Sequence, residues 1–83
     1  MKIRRLGATQ TEITTAAGVR VLVSYDTPVA AVMPSGNAMR TRRFYSRTTS
    51  AHIVKWLGPE LAARAAMVEP ELIAGALEGR EIQ

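Results

Sequence analysis

The hydrophobic period of this chain changes once, and that change dictates the order of its architecture. Before about residue 46 apolar side chains recur at every second position, and after it they recur at helical spacing. The alternation is plainest in Val19-Arg20-Val21-Leu22-Val23-Ser24-Tyr25, where Val19, Val21, Val23 and Tyr25 share one face and Arg20, Leu22 and Ser24 the other. Shorter β-type runs precede it at Lys2 to Leu6 and Thr11 to Thr15. Gly18 is placed to supply the positive φ of a hairpin between the second run and Val19. Asp26-Thr27-Pro28 reads as a turn, Val29 to Met33 as a strand, Pro34-Ser35-Gly36-Asn37 as a second turn, and Met39 to Tyr45 as a last strand.

The helical half opens on Thr48-Thr49-Ser50, three hydroxyl residues suited to capping free N–H groups. Ile53, Trp56 and Leu57 then form an apolar stripe that reads as core. Gly58 and Pro59 end one helix and start another, and Pro59-Glu60-Leu61 is echoed by Pro70-Glu71-Leu72. The expectation is an α+β fold: a three- to four-stranded antiparallel meander, then helices near 50–57, 60–68 and 71–78, with Gly79 stopping the last. Val21, Val23, Val32, Ile53, Trp56 and Leu57 are expected to be largely buried. One domain over 1–83 is expected, with a β-sheet and helix core in 1–58 and a helical extension in 59–83 that packs on the core or mediates self-association as a homodimer.

Several functions are expected to be absent. The chain has no cysteine and a single histidine, His52, so a nitrogen–sulfur metal site is not expected, nor is a cofactor. Asp26, His52 and a serine are nominal triad members, but no nucleophile elbow surrounds any serine and no glycine spacing suits a phosphate loop. A non-enzymatic protein is the expectation. No apolar run approaches the roughly 20 residues of a membrane helix, and the lack of disulfides suits the cytoplasm.

Charge is unevenly spread. Met1 to Gly58 holds nine basic and two acidic residues, whereas Pro59 to Gln83 holds two basic and five acidic ones. The front of the molecule should attract anions. Its densest stretch, Met39 to Leu57, carries five of the eleven basic residues and three of the four aromatics. Arg40, Arg42, Arg43 and Arg47 fall within eight residues, beside the aromatic pair Phe44-Tyr45. Positive charge on a strand also guards an edge against aggregation, and Phe44 and Tyr45 read equally as packing residues or stacking platforms. Thr48 and Thr49 are helix caps first, while His52 and Lys55 share the helix face away from Trp56. The candidate binding surface is therefore Arg40, Arg42, Arg43, Tyr45, Arg47, Thr48, Thr49, His52 and Lys55, with phosphate or carboxylate as the matching ligand chemistry.

The runs Ser24-Tyr25-Asp26-Thr27-Pro28-Val29-Ala30 and Tyr45-Ser46-Arg47-Thr48-Thr49-Ser50-Ala51-His52-Ile53, followed by Trp56-Leu57, resemble a family of small domains of unknown function found in bacteriophages, archaeal viruses and mobile elements. The resemblance covers about residues 1–58 and brings no catalytic residues with it. It implies a phage-type accessory protein acting inside a prokaryotic cell. The expected partner is a nucleic acid or a host nucleic-acid-handling complex met by the basic face. The alternative is an anti-CRISPR or other anti-defence inhibitor acting by protein contact, and a structural virion component is the weaker third.

Overall fold

Five strands follow one another as antiparallel neighbours: β1 (Lys2–Gly7), β2 (Gln10–Thr14), β3 (Arg20–Ser24), β4 (Thr27–Val32) and β5 (Ala38–Thr41). A sixth, β6 (Ala66–Val68), lies parallel to β5, so one mixed six-stranded sheet runs in sequence order from β1 to β6. The computed structural model describes residues 1–77. The fold is α+β, as the period change indicates, but with more strands than the three or four expected. β6 supplies one of the extra strands. β1, weak in the sequence, is another, and it pairs with β2 along nearly its whole length.

Each turn has a local cause. Thr15 closes the β2–β3 connection: its carbonyl accepts from the Gly18 amide, its hydroxyl accepts from the Val19 amide, and Gly18 takes φ 86°. Gly36 supplies φ 95° in the β4–β5 connection. The β3–β4 hairpin is tighter than expected. Ser24 pairs with Thr27, leaving only Tyr25 and Asp26 as the loop, while Pro28 lies inside β4 opposite Val23. The pairing jumps from Leu22–Ala30 to Val23–Pro28, so Val29 is the extra residue of a bulge.

Both faces of the sheet are covered. α1 (Arg47–Leu57) and α2 (Pro59–Arg64) connect β5 to β6 and pack Ile53, Leu57 and Ala62 on Leu22, Ala30 and Val32. α3 (Pro70–Leu77) crosses the opposite face, where Ile73 and Ala76 meet Val21, Ala31 and Met39. Two covered faces explain why Val29-Ala30-Ala31-Val32 is apolar throughout rather than alternating, since both pleats point into protein.

The helical half needs three corrections. The cap of α1 is Ser46, not one of Thr48 to Ser50: its hydroxyl accepts from the Thr49 amide at 3.1 Å. The expected helix 60–68 ends at Arg64, and Ala66-Met67-Val68 becomes a strand. Alanine and methionine favour helix, but the open edge of β5 offers these residues backbone partners, and tertiary pairing overrides propensity. β6 is thus part of the sheet, and α2 and α3 pack on its two faces. Trp56, expected with Val23 to be largely buried, is like it half-buried, and for Trp56 the reason is given below. Gly58 (φ 87°) and Pro59 end and begin their helices as expected. Gly79, read as the stop of the last helix, and the neighbouring residues through Gln83 lie outside the described residues.

Candidate functional site

β3, β5 and β6 run in the same direction, so their carboxyl ends meet at one end of the sheet. β3 leads there into Tyr25, β5 into the segment Arg42 to Ser46, and α1 starts from that segment. A chain of hydrogen bonds ties these pieces together. The Thr49 hydroxyl lies 3.2 Å from both the Ser46 and the Ser24 hydroxyls, and Ser24 Oγ lies 3.0 Å from His52 Nδ1. The residue beside Tyr25 is thereby joined to the residue beside Tyr45.

Three of the four aromatic residues of the chain emerge here. Phe44 is 69% exposed, Tyr25 55%, and Tyr45 36%. An aromatic ring left in water forgoes the burial that would otherwise stabilise the fold, and Tyr25 is in addition held at φ 56°, a region bulky residues avoid. Its amide donates to the Thr9 carbonyl at 2.6 Å, which holds the turn in place. The Arg43 guanidinium stands 5.4 Å from the Tyr45 ring centroid, a cation–π distance. Arg47, at the first turn of α1, is exposed and makes no ion pair among the described residues.

The expected site residues separate into those at this end and those elsewhere. Arg43, Tyr45, Arg47 and Thr48 are exposed here. Arg42 is here too, but its guanidinium donates to Glu69 at 3.0 Å across the β5–β6 edge. Thr49 is buried and His52 half-buried, so both serve the hydrogen-bond chain rather than the surface. Arg40 lies within β5 beneath α2, its Nη1 directed at the Ala62 carbonyl 3.4 Å away. Lys55 borders Leu6, Gln10 and Trp56, away from the arginine loop. The nominal triad reduces to the Ser24–His52 pair. Ser24 is 2% exposed, so its hydroxyl cannot reach a substrate.

Phe44 belongs with the site although its type and position alone left packing open. Its signal is a run of polar and charged neighbours with no apolar residue at i±2 to share a buried face. A second cluster was hidden in the sequence. Glu12 is buried on β2, accepts from Trp56 Nε1 at 2.8 Å, and lies 3.5 Å from Arg4 and 3.7 Å from Arg20. Arg20 also stands 5.7 Å from the Trp56 ring. Trp56 keeps its indole N–H toward this polar group, which is why it is not plain core.

The chain belongs to a family of unknown function, DUF8033, whose model matches residues 1–70 and so reaches through β6. Neither the curated proteins nor the solved structures give a match.

Proposed function

We propose that this protein is a non-enzymatic, phage-type accessory module that binds single-stranded nucleic acid, or a host complex presenting it, in the prokaryotic cytoplasm. The observation that carries this reading is the gathering of Tyr25, Phe44 and Tyr45, all exposed, at the same sheet end as Arg42, Arg43 and Arg47. Every base has a π-face, so exposed rings beside arginines bind a strand with little regard to its sequence. Arginine supplies the phosphate contacts and the long-range attraction.

The test is fluorescence anisotropy with a labelled homopolymer strand. Three phosphate contacts at about 0.7 each give a log–log salt slope of about −2. Phe44→Ala should weaken binding by about 1–3 kcal/mol, the range for one base–aromatic stack, while leaving the thermal transition in place, because Phe44 supports little of the core.

The exposed Phe44 and Tyr45 also favour a second reading, an anti-defence inhibitor that acts by protein contact, since aromatics and arginine dominate protein hot spots. A protein partner gives a complex that survives nuclease treatment, with salt acting mainly on the association rate.

A further inference from the structure

Between the flank of α1 and the parallel pair β5–β6 lies a cavity of about 110 Å³. Arg40, Thr41, Ser50 and Met67 line it, with Phe44 and Tyr45 at the loop end. Three arginines contribute to its wall and no carboxylate does. Arg40 is unlike the other two. Arg42 answers Glu69, and Arg43 is exposed beside Tyr45. Arg40 Nε is buried and has no hydrogen-bond partner, and its guanidinium makes no ion pair among the described residues. Its one acceptor among the described residues, the Ala62 carbonyl, is distant at 3.4 Å.

A buried donor on a cation is expensive to leave unanswered, and a domain this small has little stability in reserve. Arg40 stands between buried Ala30 and half-exposed Met67 on the neighbouring strands, at the margin of the core. The arrangement makes physical sense if an anion answers the charge.

We infer that the cavity holds a phosphate monoester, the terminal phosphate of a strand whose first bases lie on Phe44 and Tyr45; this rests on the nucleic-acid reading above. Size supports it. A site needs only about 10–15 Å³ of such space to admit one water, so the cavity has room for a phosphate group. Charge supports it as well, because a monoester carries more negative charge than an internal diester and meets a guanidinium with charge-assisted hydrogen bonds. The Ser50 hydroxyl and the second amino group of Arg40 are available as further donors.

The experiment uses the full chain and labelled oligonucleotides of about ten nucleotides, within the usual site size of small single-strand binders. They are identical except for a 5′-phosphate, a 3′-phosphate, or hydroxyls at both ends. One phosphorylated form should bind about tenfold more tightly than the hydroxyl form, the worth of one or two charge-assisted hydrogen bonds. Inorganic phosphate should compete that difference away. Arg40→Gln should abolish the difference and keep the affinity of the hydroxyl form. If Arg40→Gln does not fold, Ser50→Asp sets a carboxylate on the cavity wall and should have the same effect. Equal affinity for all three ends overturns the inference and leaves the nucleic-acid reading standing. A preference that survives both variants overturns it too, by placing the phosphate elsewhere. Failure of every oligonucleotide to bind removes the reading on which it rests.

Discussion

Tyr25 occupies a backbone region that costs an ordinary residue about 1–2 kcal/mol relative to its preferred conformations, and its ring is nevertheless directed into solvent. Strain of this kind persists where something other than stability is served. Asparagine tolerates the left-handed region better, so Tyr25→Asn should stabilise the protein by about 1 kcal/mol while weakening strand binding. Urea denaturation read beside anisotropy checks both halves, and a variant that loses stability would show that the ring supports the fold. Ser46 carries the opposite expectation. Ser46→Ala removes the cap of α1 and should cost about 1 kcal/mol, read as a lower urea midpoint at an unchanged slope. At this scale the sequence was legible where a residue acts through its own backbone, as at Gly18, Gly58 and Pro59. It was opaque where a side chain is defined by a distant partner. Nothing local announces that Trp56 answers Glu12, 44 positions away, or that His52 answers Ser24, 28 positions away.

β6 is the element that most changes the picture. It is three residues long, it follows a helical stretch, and its pairing with β5 turns a meander into a mixed sheet. Sequence periodicity cannot detect so short a strand, because Ala66-Met67-Val68 fits a helix equally well. The strand exists because β5 has an unpaired edge to fill. α3 likewise shows its apolar side in the sequence but not which face of the sheet it covers. A clue was present in the unbroken apolar run Val29 to Met33, which a sheet covered on one face only would not need. Two measurements follow. Ile73→Ala should destabilise the protein by about 2–5 kcal/mol, as for other buried aliphatic truncations, because Ile73 is fully buried against Val21, Ala31 and Met39. Truncation after Gly58 should abolish the cooperative thermal transition followed by circular dichroism, since it strips one face of the sheet and leaves the outer edge of β5 unpaired. A truncated chain that still melts cooperatively would mean that α3 and β6 are dispensable.

The molecule as a whole separates its stabilising groups from its exposed aromatics. The two cores lie above and below the middle of the sheet, built mainly from valine, alanine, leucine and isoleucine, whereas the aromatics Tyr25, Phe44 and Tyr45 stand at one end. The charge asymmetry of the sequence pointed to a basic surface but not to its shape. Of the nine residues read as candidates, Thr49 and His52 turn inward, Arg40 lies under α2, and Lys55 faces another region, while the exposed remainder flanks Phe44. Composition could not make that division, because an arginine on a strand looks the same whichever face it takes. Nucleic-acid binding is proposed for the sheet end bearing Tyr25, Phe44 and Arg47. The most direct test is a titration of the isotopically labelled protein with a short single-stranded oligonucleotide, followed by amide chemical shifts. Binding there should give progressive shifts at Tyr25, Arg43, Phe44, Tyr45 and Arg47, and none in the turn from Pro34 to Asn37 at the opposite end of the sheet. Shifts confined to β1 around Lys2, Arg4 and Arg5, with the Arg43–Arg47 loop unmoved, would contradict it.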